Sequence, residues 1–170
     1  MEQYNFKEIE KKWQDKWFAE KSFQAIDFHP TKPKYYVLYE FPNISGNIHL
    51  GHLKGTIPAD ALARYKKFCG YNVLFPIGGD SFGLPAENAA IKHGTDPKVF
   101  VERGRQNIFS QFKQLGLSFD WDRTFCTSDE DFYKWTQWIF LQLYKNGKAY
   151  KKKGKVNFCP KCQTTLSNED

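Results

Sequence analysis

Between Tyr35 and Phe75 the chain reads strand, loop, helix, strand, and this order limits the fold more than any other feature. Tyr35-Tyr36-Val37-Leu38-Tyr39-Glu40-Phe41 is β-branched and aromatic with no breaker, the pattern of a largely buried strand. Pro42 to Asn47 is rich in loop formers. From about His49 apolar residues recur at helical spacing through Ala61, Leu62, Tyr65 and Phe68, and Gly70 is placed to end that helix in a left-handed cap. Pro58 lies inside the helix and is expected to kink it or shift its start. Tyr71-Asn72-Val73-Leu74-Phe75 follows as a second strand, closed by Pro76 and the Gly78-Gly79 pair. Two strands joined through a crossover helix run parallel, so the fold class is α/β.

The flanking segments are mainly helical. Phe6, Ile9, Trp13 and Trp17 mark an amphipathic first helix, which Pro30 and Pro33 separate from the strand. Val101, Ile108, Phe112 and Leu115 mark another helix, ended by Gly116. Phe132, Trp135, Ile139 and Leu143 belong to a helix that is apolar nearly all round and is expected to be buried. After Gly147 the composition changes to lysines around short β-type stretches and a C-x-x-C. Residues 1–146 therefore read as the main domain and 147–170 as the start of a small Lys-rich, Cys-containing appendage.

A hydrophobic content of 41% over 170 residues suffices for one packed domain and excludes disorder. The formal charge of +6 suits a polyanionic partner, though a solvated lysine surface gives the same number. No stretch approaches the roughly 20 apolar residues of a membrane span, and the N-terminus has no basic-then-apolar leader, so a cytoplasmic protein is expected.

The residues that carry chemistry lie in the first loop, Pro42-Asn43-Ile44-Ser45-Gly46-Asn47-Ile48-His49-Leu50-Gly51-His52. Open α/β sheets bind nucleotides beyond the carboxyl ends of their strands. His49 and His52 project to the same side of a helix start, beside backbone N–H groups and the positive end of the dipole, which suits ATP phosphates. Gly46 and Gly51 would let the nucleotide approach the backbone, with Pro42 ahead of them. A helix cap with incidental histidines is the plainer alternative.

The tetrapeptide His49-Leu50-Gly51-His52 resembles the first signature of the class I aminoacyl-tRNA synthetases. The runs Asn72 to Ala90, Leu115 to Arg123, Tyr133 to Trp138 and Asn157 to Pro160 are similar to the leucine-specific branch, so the resemblance spans almost the whole chain. Three positions depart from that branch, which usually has Tyr-Pro where this chain has Asn43-Ile44, and Trp where it has Gly79. Asn43 is shared with the valine enzymes of the same architecture.

The resemblance implies a Rossmann-type nucleotide-binding half and a ligase joining leucine to tRNA(Leu) through leucyl adenylate, with ATP and Mg2+. By carry-over, His49 and His52 are catalytic, and Pro42, Gly46, His49, Gly51 and His52 bind ATP. Phe41, Asn43 and Asp80 meet the amino acid, with Asp80 holding its ammonium group. An Asp80 in an ordinary turn is the alternative. Cys159-Pro160-Lys161-Cys162 has the spacing of a zinc knuckle, but tetrahedral zinc needs four ligands. Zn2+ at Cys159 and Cys162 is thus conditional on another Cys pair. Lys145 to Lys161 would contact tRNA phosphate or form a solvated face.

A complete member of this family also has a second Rossmann half and an anticodon-reading domain. The expected partners are therefore tRNA(Leu), leucine, ATP and the rest of a synthetase, in the same chain or a separate one, and no membrane. Two rival readings stay open: a synthetase for valine, isoleucine or methionine, and a nucleotide- or tRNA-binding fragment without catalysis.

Overall fold

The computed structural model describes residues 4–161 and 163–166. It divides into two compact units, Met1–Tyr133 and Lys134–Asp170. In the first, α1 (Phe6–Ala19) starts behind Asn5, whose side-chain oxygen accepts the Glu8 N–H. Strand β1 (Lys34–Tyr36) leads through extended chain and the first loop into α2 (Leu50–Phe68). Strand β2 (Asn72–Leu74) pairs in parallel with β1, in the register Lys34↔Asn72 and Tyr36↔Leu74, which completes the βαβ unit expected from the sequence.

The same chain line continues into β3 (Gly78–Gly79), α3 (Leu84–Lys92) and α4 (Pro97–Gln114). After a single 3-10 turn at Trp121–Arg123, β4 (Phe125–Cys126) pairs in parallel with β3. An isolated parallel bridge joins Asn43 to Asp80. Residues 72–80 therefore pair with 34–43 on one edge and with 125–126 on the other, and all three lines run the same way. The core beneath is built from Val37, Ile44, Val73, Phe75, Ile77, Ile108, Phe112 and Phe119.

Several sequence expectations need correction. Strand β1 is shorter than Tyr35 to Phe41 and is not buried on both faces: Tyr36 is 57% and Leu38 62% exposed, while Val37 between them is 5% exposed. Alternation of this kind marks a sheet with one covered face. Pro58 neither ends α2 nor moves its start, since the helix runs unbroken from Leu50. Gly70 and Gly116 do end α2 and α4 with positive φ, as their positions suggest.

Arg64 fastens α1 to α2. Its guanidinium lies 5.0 Å from the Trp17 ring and 4.8 Å from the Phe23 ring, while Nε donates to Asp60 at 2.7 Å and Nη2 to the Gly116 carbonyl. The other Asp60 oxygen accepts the Ser118 N–H at 2.6 Å. Buried Asp120 draws in the segment after α1 by accepting the Ala25 N–H at 2.9 Å.

Helix α5 (Glu130–Lys145) begins in the first unit and continues into the second, so the two compact units divide within a helix. It buries no residue, contrary to the expectation from its apolar sequence. Periodicity reports which faces are apolar but not what covers them. The second unit ends in an antiparallel hairpin of β5 (Asn157–Cys159) and β6 (Thr164–Leu166). No helix among the described residues is long and apolar enough to cross a membrane.

Candidate nucleotide and amino-acid site

The first loop leaves the sheet at Phe41-Pro42, where Asp80 meets it. The Asp80 N–H donates to the Pro42 carbonyl and the Ile44 N–H donates to the Asp80 carbonyl, each at 2.9 Å. These two bonds set Asn43 and Asp80, both expected from the resemblance to meet the amino acid, side by side at the carboxyl end of the sheet. Both are exposed, while Pro42 is buried.

His49 is the N-cap of α2, in extended conformation at φ −138°. Its Nδ1 accepts the Gly51 N–H at 3.1 Å, and His52 Nδ1 accepts the His49 N–H at 3.1 Å. Each imidazole thus satisfies one of the donors that a helix start leaves unpaired. The rings lie face to face with centroids 3.9 Å apart and planes inclined by 30°. A ring whose Nδ1 accepts a hydrogen bond must carry its proton on Nε2. The cap therefore fixes one tautomer in both histidines and leaves Nε2–H on each as a donor.

Burial pushes His52 below the ordinary imidazole value, as does the neighbouring His49 imidazole, beside which a second positive ring is disfavoured, against a smaller opposing pull from Glu40. Both effects favour the neutral ring that the cap requires. The backbone under His52 is held as well: its carbonyl accepts from the Tyr39 hydroxyl at 2.9 Å and from Thr56 Oγ1 at 2.8 Å.

The glycines of the motif have different reasons. A Cβ at Gly51 would stand 2.9 Å from His49 Nδ1 and Cε1, so the cap itself demands glycine there. A Cβ at Gly46 would meet nothing within 4 Å.

Phe41 packs edge-on against Phe125, with ring centroids 5.0 Å apart. Ile44, 1% exposed, fills the space over Gly79: a Cβ at Gly79 would lie 2.7 Å from Ile44 Cδ1 and 2.9 Å from Cys126 Sγ. A large side chain at 79 and isoleucine at 44 therefore exclude each other, and these two of the three departures from the leucine-type pattern form one packing unit.

Sequence reasoning missed β4 and the Thr127-Ser128 pair after it. Thr127 Oγ1 accepts the Ser81 N–H at 2.9 Å and stands 3.4 Å from Asp80 Oδ1, to which its proton can be donated. Ser81 Oγ also lies 2.7 Å from Ser128 Oγ. No local pattern marks this pair, because both contacts are made with residues far away in the sequence.

Cys159 closes β5, in the second unit. Cys162 lies outside the described residues. Among the described residues no group of three or more His, Cys, Asp or Glu gathers to hold a metal, so a zinc knuckle has no support here beyond its spacing. Lys148, Lys151, Lys152, Lys153 and Lys155 are all exposed.

The family model described as tRNA synthetases class I (M) matches residues 35–170. A leucine–tRNA ligase of Thermotoga petrophila is 55% identical over 169 residues, which cover 99% of this chain and 20% of that protein. One from Dehalococcoides mccartyi is 52% identical over 168 residues, again 99% of this chain and 20% of the relative. Among solved structures, a ternary complex of Agrobacterium radiobacter K84 agnB2 LeuRS, tRNA and LeuAMS superposes with a TM-score of 0.90 at 38% identity, covering 98% of this chain and 22% of that one. The chain spans about a fifth of the length of the curated relatives it matches.

Proposed function

Because this chain belongs to the class I tRNA synthetase family, we propose that it is the N-terminal portion of a leucine–tRNA ligase, binding ATP and leucine for adenylate formation. The observation that carries this reading is the capped histidine pair at the start of α2, with both Nε2–H donors available next to the loop that Asp80 holds.

In the first half-reaction the leucine carboxylate attacks the α-phosphorus of ATP. A carboxylate–phosphorus bond forms, the bond between the α- and β-phosphates breaks, and pyrophosphate leaves with the electron pair. The nucleophile comes from the substrate, so no residue need form a covalent bond. The protein contributes position and electrostatics. His49 and His52 donate through Nε2–H to phosphate oxygens as charge develops on them, in a geometry already fixed by the cap. Asp80 pairs with the leucine ammonium, and Phe41 and Asn43 line the amino acid. Transfer to tRNA(Leu) follows, together with the rest of a synthetase. Magnesium in this reading accompanies the ATP, bound to its phosphates.

Leucine-dependent pyrophosphate exchange by the whole enzyme tests the assignment. Asp80→Ala should raise the leucine KM by about tenfold or more, as expected for losing a charge-assisted partner. An unchanged KM removes Asp80 from the site. The Ile44–Gly79 packing lies beside the proposed pocket, so exchange with valine, isoleucine and methionine belongs in the same experiment. A preference for one of these would replace leucine as substrate.

A further inference from the structure

Between the bridge at Asn43 and the cap at His49, residues of α4 hold the loop. Ile44 Cγ2 lies 2.6 Å from where a Cβ on Gly104 would stand, too close for a side chain there. Asn47 Oδ1 accepts from Asn107 Nδ2 at 2.6 Å and from Gln111 Nε2 at 3.5 Å. The Ile48 N–H donates to Gln111 Oε1 at 3.0 Å, on the peptide that leads directly into His49. On α4 these residues are 104, 107 and 111, spaced i, i+3 and i+7, which is one face of a helix.

We propose that this face of α4 is a clamp for the histidine loop, with Gly104, Asn107 and Gln111 as positioning residues for the ATP site. The inference rests on His49 and His52 meeting phosphate. A nucleotide-binding loop between a strand and a helix has few backbone partners of its own, and donors must be in place before charge develops. Gln111 fixes the peptide before the cap. Asn107 and Gln111 share one acceptor on Asn47, and Gly104 admits the branched Cβ of Ile44. Asn107 is exposed, and Gln111 is not in the core, so polar reach alone ties them to the loop.

The clamp is tested in the full chain with Asn107→Ala, Gln111→Ala, Gly104→Ala and the pair Gly104→Ala with Ile44→Leu. Three quantities are read: ATP affinity by calorimetry, the His49 and His52 ring nitrogens by NMR through a pH titration, and the melting temperature. Removing either amide should weaken ATP binding about three- to tenfold, the range for one hydrogen bond. It should also shift the ring-nitrogen titration, with little change in melting.

Alanine is a better helix former than glycine, so helix propensity alone would make Gly104→Ala stabilising. Weaker ATP binding in that variant would therefore come from the displaced loop. Leucine at 44 carries no branch at Cβ and should restore binding to Gly104→Ala. The clamp is overturned if Asn107→Ala and Gln111→Ala leave both ATP affinity and the ring titrations as in the parent, or if Gly104→Ala binds ATP normally. Should the parent chain bind no ATP, the phosphate reading fails while the ring titrations still decide whether α4 positions the loop.

Discussion

On the proposed reading His49 has two separable jobs, and one pair of substitutions divides them. Its Nδ1 caps α2 by accepting the Gly51 N–H, and its Nε2 faces away from that bond as a donor. His49→Ala removes both. Loss of an N-cap acceptor costs about 1 kcal/mol. For a chain of this size that corresponds to a fall of roughly 2–4 °C in melting temperature. His49→Asn supplies a strong capping oxygen but no distal donor, so its melting temperature should stay within about 2 °C of the parent. On the same reading both variants lose the donor proposed to meet phosphate in the transition state, and activation by each should fall by about 10²-fold or more.

Thermal unfolding at pH 8, where an ordinary imidazole is neutral, reads the first job. Leucine-dependent pyrophosphate exchange reads the second. If His49→Asn and His49→Ala melt together well below the parent, the Nδ1 cap is not what stabilises the helix start. If His49→Asn keeps its activity, the outward nitrogen has no role in phosphate chemistry. Either result would refute one half of the reasoning without touching the other.

Two further outcomes follow from the same contacts. His52 is held below its ordinary value by burial and by His49, so the unfolded chain takes up a proton there first as pH falls. The stability this group contributes is thus present above about pH 6.5 and is lost as pH drops through the lower folded value; melting temperatures from pH 8 to 5 should fall more steeply in the parent than in His52→Asn, and parallel curves would contradict it. Arg64→Lys keeps the charge but loses the planar fork that reaches Asp60, Gly116 and two aromatic faces at once. Its cost should be about 1–2 kcal/mol, seen as faster hydrogen exchange in α1; unchanged exchange would show that α1 docks by other means.

The chain's pattern carried the βαβ unit and the histidine cap because both are local. A strand, a loop-rich turn and an amphipathic helix can each be read within a dozen or so residues. What could not be read depends on distant partners. Tyr36 and Leu38 look like core in a run of aromatic and branched residues, yet only the far side of the sheet decides whether they are covered. Strand β4 has two residues and exists because Gly78 and Gly79 pair with it, so no window around Phe125 would reveal it. Thr127 reaches Asp80 and Gln111 reaches Ile48 across long sequence separations, so neither contact has a local signature.

The glycines make the same point in physical terms. Gly51 in the signature suggests close approach of a phosphate, and the His49 ring gives a second, local reason for glycine there, since a Cβ would stand 2.9 Å from it. Gly79 and Gly104 are both spaces filled by Ile44, a residue that sequence reasoning registered only as a departure from a familiar pattern. One isoleucine on the loop therefore presses on the strand line that carries Asp80 and on the helix that holds Asn47. A change of size at 44 must be answered at both glycines, because packed interiors have no slack to absorb a methyl group. Positions 44, 79 and 104 thus form one steric unit, and a substitution at any of them alone would move the loop that bears the histidines.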